Sequence, residues 1–99
     1  MASDYKILWT DEAINNLEGI LNYLNNRWTQ REIDNFKNRL SRQISLIKQN
    51  PVLFPVSQYN TRLRKAVLSR QTTIFYEVTG QIIYLVYLFS NMQDIEKIK

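Results

Sequence analysis

From Ala13 onward, apolar residues recur at Ile14, Leu17, Ile20, Leu21, Leu24 and Trp28. Intervals of three and four fold onto one stripe of an α-helix, the side that must be buried. Thr10 precedes the stripe as an N-cap, and Asp11 and Glu12 sit where the positive end of the helix dipole favours carboxylates. The pattern predicts a helix over residues 11–26. Thr29-Gln30-Arg31-Glu32 has the spacing of a capping box, with the hydroxyl and the carboxylate each satisfying a backbone amide of a new helix start. A second stripe follows at Ile33, Phe36, Leu40, Ile44 and Ile47. It ends near Gln49, because Pro51 disfavours helical geometry at Asn50. The short connection around Trp28 makes the two helices antiparallel neighbours.

The remaining apolar runs follow a different rule. Residues 5–9, 62–68, 72–78 and 82–89 are rich in β-branched, aromatic and leucine side chains, and Ile74, Tyr76 and Val78 alternate with Thr73, Phe75 and Glu77. Thr79-Gly80-Gln81 supplies turn chemistry between the last two runs. Residues 82–89 show little alternation, which predicts a central strand covered on part of both faces. Residues 51–60 hold both prolines and no charge, with Val52, Leu53, Phe54 and Val56 available to anchor a connector. A short helix is expected from Asn91. The order β-α-α-β-β-β predicts an α+β fold, a helical hairpin packed on one face of a small antiparallel sheet. Residues 1–99 read as one domain, and the sheet face away from the helices is the expected working surface.

Composition narrows the chemistry. With 99 residues, 44% of them apolar and twelve aromatic, the chain can bury one core without staples. It has no cysteine and no histidine, which removes thiolate nucleophiles, disulfides, the usual neutral-pH acid/base group and the commonest transition-metal ligands. No metal or cofactor is expected, and any catalysis falls to carboxylates, tyrosines, lysines and arginines. Residues 1–7 lack the form of a secretory signal, and the longest apolar run, 82–89, is too short to span a bilayer, so no membrane partner and a cytoplasmic location are expected. The net charge of +4 is unevenly spread: residues 1–26 carry −3, 27–48 carry +4, 62–70 carry +4 and 71–99 carry −1. A basic middle suits an acidic partner, protein or nucleic acid.

The densest basic constellation is Arg62, Arg64, Lys65 and Arg70, with no acid between them. On a strand, Arg62 and Arg64 would share one face and Lys65 the other, and paired guanidiniums bind phosphates or carboxylates bidentately. The competing reading is a charged edge that keeps a strand soluble. Arg31, Lys37, Arg39, Arg42 and Lys48 decorate the second helix away from its stripe, as a solvated face or a guide for an acidic chain. Tyr59, Tyr76, Tyr84 and Tyr87 are read first as packing residues, since no partner base stands out for them. Glu77 and Asp94 are isolated carboxylates, and Gly19 and Gly80 form no phosphate-binding loop.

Several motifs occur in a characteristic order. Leu8-Trp9-Thr10-Asp11-Glu12-Ala13 opens a helix that continues through Leu17 and Ile20-Leu21-Asn22-Tyr23-Leu24. Asn50-Pro51 and Phe54-Pro55 follow the second helix; then come residues 64–67, the Ile74-Phe75-Tyr76-Glu77-Val78 and 82–88 strands, and a tail running from Phe89 to Lys97. In this order and spacing the chain resembles the RelE/ParE superfamily of toxins from bacterial type II toxin-antitoxin systems, over almost its whole length. The resemblance implies a cognate acidic antitoxin, with a homodimer or a toxin-antitoxin hetero-oligomer as the assembly. RelE-type members cut mRNA on the ribosome with basic sheet residues and a cluster after the last strand. ParE-type members act on DNA gyrase and lack that cluster. Arg62, Arg64 and Arg70 occupy positions similar to the basic sheet residues and would hold the phosphate in a ribonuclease, with Tyr87 assisting. Many relatives carry His or Asp followed by Arg where this chain has Ser90 and Met92, and no tyrosine lies beyond Tyr87. The ParE-like, non-enzymatic branch is therefore the expectation, with a ribonuclease or an inactive, basic binding module as alternatives. The partner-binding candidates are Arg62, Arg64, Lys65, Arg70, Arg31, Arg39 and Arg42.

Overall fold

The computed structural model describes residues 4–90. Its elements are β1 (Lys6–Trp9), α1 (Asp11–Asn25), α2 (Gln30–Gln49), β2 (Arg64–Val67), β3 (Thr72–Thr79) and β4 (Ile82–Ser90). Both helices start where the capping chemistry places them. The Thr10 hydroxyl accepts from the Ala13 amide at 3.1 Å. At α2 the Glu32 amide donates to Thr29 Oγ1 at 3.3 Å, and the Thr29 amide donates back to Glu32 Oε1 at 3.0 Å. The expected helix from Asn91, and Asp94 with it, lies outside the described residues.

The strands form one four-stranded sheet in the order β1-β4-β3-β2. β2, β3 and β4 are antiparallel neighbours, whereas β1 pairs with β4 in parallel, Ile7 opposite Ile83 and Trp9 opposite Leu85. The sheet is thus mixed rather than antiparallel throughout. Parallel neighbours need a long crossover, and the helical hairpin between β1 and the meander supplies it. The β3–β4 hairpin turns at Gly80, whose φ of 60° is a left-handed conformation that costs a residue without Cβ nothing. Between Phe75 and Tyr76 the register slips, so that Phe75 faces Tyr87 while Tyr76 faces Leu85, leaving Val86 as the extra residue of a bulge.

The edge of β4 beyond β1, and the outer edge of β2, are covered by side chains and loops. Beyond the end of β1, α1 takes over the edge of β4: the Thr10 hydroxyl lies 2.8 Å from both the Leu85 and Val86 carbonyls, and the Leu88 amide donates to Asn16 Oδ1 at 3.0 Å. On the other side, the Lys65 amide donates to the Pro55 carbonyl at 2.9 Å, and Gln43 Nε2 donates to the Val67 carbonyl at 3.0 Å. Such cover blunts edges that would otherwise template pairing with another chain.

One face of the sheet carries the core. Ile74, Tyr76, Ile83, Leu85 and Leu88 pack against Ile20 and Leu24 of α1 and Ile33, Phe36, Leu40 and Ile47 of α2. Burying each such side chain contributes on the order of 1.5–3 kcal/mol before the entropy of ordering is subtracted. Because alternate strand residues point to opposite faces, every inward residue of this set fixes an outward neighbour.

Candidate partner-binding surface

β2 begins at Arg64, so Arg62 lies before the strand and the alternation expected for the pair does not apply. Arg64 pairs in register with the core residue Tyr76, which puts it on the helix side of the sheet. Its Nη1 donates to the Phe54 carbonyl at 2.7 Å and to the Val52 carbonyl at 3.4 Å. The Tyr76 hydroxyl donates to the Pro51 carbonyl at 2.6 Å, and the Phe54 ring meets the Tyr76 ring edge-on with centroids 6.3 Å apart. Arg64 and Tyr76 therefore hold the connector after α2. Burial pushes the Tyr76 phenol up to about 12, with the nearby Arg64 charge opposing the shift. That phenol is poorly suited to act as a base at neutral pH.

Arg62 turns to the opposite side. Its Nη2 lies 3.1 Å from Glu77 Oε2, an ion pair at the surface in which the Arg62 side chain is 78% exposed. Glu77 and Tyr84 are register partners outside the core, so this pair lies at the margin of the open face. Lys65, opposite Phe75, is on that face too. Arg70 is exposed in the β2–β3 turn, at the far end of β2 from Arg62. The four-cation cluster is accordingly divided between the two faces and the two ends of one short strand. Arg31, Arg39 and Arg42 are exposed along α2. Arg39 also lines a shallow cleft with Trp28, Phe36, Ser69 and Gln71.

The open face, the expected working surface, carries apolar side chains that the sequence reading did not place there. Tyr84 stands beside Leu8 of β1, and the Phe75 and Tyr87 rings stack with centroids 4.7 Å apart. Leu8 is 47% and Phe89 51% exposed, and Val67 is exposed on β2. The signal was the unbroken apolar run of β4. It implies apolar residues on both faces, and a single helical layer can cover only one. A second concavity, of about 260 Å³, lies between α1 and the end of β4, lined by Asn15, Asn16, Gly19, Ile20, Tyr23, Leu88 and Ser90. A Cβ built on Gly19 would meet nothing within 4 Å.

Arg64 is engaged with carbonyls, Arg62 with Glu77 and Tyr87 with Phe75. No group of three or more potential ligands among the described residues could hold a metal ion, and no described helix is long and apolar enough to cross a membrane.

Comparison with known proteins agrees with this architecture. The structure superposes on the chromosomal ParDE toxin-antitoxin system of P. aeruginosa with a TM-score of 0.73 at 16% identity, covering 87% of this chain and 95% of that one. The E. coli DinJ-YafQ toxin-antitoxin complex matches with a TM-score of 0.62 at 12% identity, covering 91% and 96%. YafQ from E. coli strain BL21(DE3) matches with 0.59 at 12% identity, covering 92% and 97%. At these identities the likeness establishes the fold. No curated protein sequence matches the chain significantly. The family described as "ParE toxin of type II toxin-antitoxin system, parDE" matches residues 7–95. The chain, with its hairpin of helices over a mixed sheet, belongs to the ParE toxin family of type II toxin-antitoxin systems.

Proposed function

We propose that this toxin acts in the cytoplasm as a non-enzymatic inhibitor of DNA gyrase and is neutralised by a cognate acidic antitoxin. The observation that carries the non-enzymatic reading is the engagement of Arg64 with the Phe54 and Val52 carbonyls. A ribonuclease of this fold would need that cation free for a phosphate, together with a base for the ribose 2′-hydroxyl and an acid for the leaving oxygen. Tyr76 is hydrogen-bonded and its phenol raised, and Tyr87 is stacked on Phe75. Family membership supports gyrase as the target by analogy, since fold alone does not dictate function.

An antitoxin partner is supported by the solved relatives, two of which are toxin-antitoxin complexes or systems by description. The exposed arginines of α2, with the cleft that Arg39 lines beside Trp28 and Gln71, are suited to a flexible acidic segment that folds on binding. Supercoiling of relaxed plasmid by purified gyrase tests the target. Inhibition that is relieved by the protein encoded beside this toxin supports the reading, and undiminished supercoiling at every toxin concentration removes gyrase from it.

A further inference from the structure

We infer that the open face of the sheet is a protein-docking surface for the toxin's target, and that the patch it receives has an apolar centre and an acidic rim. The inference rests on the reading of this chain as a toxin that binds its target, and adds where the target sits. The centre of the face is built from Leu8, Tyr84, the Phe75–Tyr87 stack and Phe89, neighbours by strand register. Its margins carry Lys6 on β1 and Lys65 on β2. Among the described residues neither lysine has an ion-pair partner, and the one carboxylate that the strands place on this face, Glu77, is already paired with Arg62. The face is therefore apolar within and positive at two opposite borders.

That anatomy is the one a protein interface shows, with aromatic residues at the centre and charge at the rim. Charge complementarity then calls for carboxylates around the partner's patch. Single-stranded nucleic acid would also meet lysines and aromatic rings, but it stacks bases on accessible ring faces. Here two of the rings are spent on each other, and the exposed contacts include the aliphatic Leu8 and Val67, which offer bases no stacking platform. The rigid strands hold these side chains in place before binding, so little ordering entropy opposes docking.

Full-length wild type is compared with Leu8→Asp, Phe89→Asp and Lys65→Glu on the open face, and with Leu46→Asp on the exposed side of α2. Circular dichroism melting checks each fold, and Leu8→Ser and Phe89→Ser stand in where an aspartate variant melts early. Survival after induction in a bacterial host reads target engagement without presuming the target. The three open-face variants are expected to weaken growth arrest by about tenfold or more while Leu46→Asp retains it. Folded open-face variants that still arrest growth overturn the inference, as does a wild type that arrests none. Binding of labelled single-stranded RNA that falls in step with arrest in Lys65→Glu and Phe89→Asp overturns it in favour of nucleic acid. Gyrase is scored separately: if wild type leaves supercoiling untouched while open-face variants lose arrest, the gyrase reading fails and the docking surface stands.

Discussion

The Arg64 guanidinium donates to the Phe54 carbonyl at 2.7 Å, turning the cation at the start of β2 into a clamp on the connector that follows α2. Arg64→Ala should cost about 1.5–3 kcal/mol of stability, because a charged donor is lost and the part-buried Phe54 carbonyl is left without it. Arg64→Lys should recover part of the loss, since both bonds leave one nitrogen, Nη1, and an ammonium differently placed on its stem can restore only the contacts it reaches. Arg62→Ala, which breaks only an exposed ion pair with Glu77, should cost under about 1 kcal/mol. Urea denaturation of the three variants gives the ranking, and equal losses for Arg62→Ala and Arg64→Ala would contradict it.

Tyr76 makes stability depend on alkaline pH. Its phenol is raised from the ordinary 10.0 to about 12 by burial, so between those values the unfolded chain releases a proton that the folded chain keeps. The folded state therefore holds more protons, and stability falls with rising pH. The contribution is whole below pH 10, declines through the window up to about 12 and then levels off. The loss should total roughly 2–3 kcal/mol by linkage. Tyr76→Phe should be less stable at neutral pH by about 1–2 kcal/mol, having left the Pro51 carbonyl unsatisfied, and should lack this alkaline step. Parallel slopes for wild type and Tyr76→Phe above pH 10 would refute the assignment.

Thr10 joins α1 to β4 as well as capping the helix. Its hydroxyl accepts from the Ala13 amide and reaches the Leu85 and Val86 carbonyls, which the bulge at Val86 brings to the same side chain. Thr10→Ala should cost about 2 kcal/mol, the upper end for an N-cap, whereas Thr10→Ser should stay close to wild type. Thermal melting compares them. A loss no greater than that of Thr29→Ala, whose hydroxyl has only the α2 capping box to serve, would show that the strand contacts contribute nothing.

Thr72 offers the opposite sign. It is fully buried, and its Oγ1 has no hydrogen-bond partner. Replacing the hydroxyl with a methyl group of similar shape removes an unsatisfied polar atom, so Thr72→Val should be neutral or stabilising by about 1 kcal/mol. A lower denaturation midpoint would mean that the hydroxyl has a partner.

The helices and the order of elements along the chain were legible because their determinants are local. Thr10 and the Thr29–Glu32 box mark two helix starts within a residue, and the stripes through Leu24 and Ile47 fix which sides are buried. Arg62 and Arg64 show where local reading stops. Period-two alternation holds only inside a strand, and β2 starts two residues later than the β-prone run that contains it. The connector decides the matter, since carbonyls brought back from residues 52 and 54 capture Arg64 through a contact far away in the chain. The parallel pairing of β1 was likewise invisible, because nothing in Lys6–Trp9 specifies the direction of a neighbour reached through two helices. The open face had a signal in the unalternating run of β4. That run predicts cover on part of both faces, whereas α1 and α2 have only one side to give and the second face stays open.

Titrating purified gyrase with the toxin, beside ribosomes programmed with mRNA, tests the central claim most directly, namely that the chain works by occupying its target and not by turning over a substrate. Supercoiling should fall in proportion to added toxin and saturate once each gyrase carries its complement, with the ribosome-bound message intact. Unimpaired supercoiling together with many messages cut per toxin chain would contradict the account.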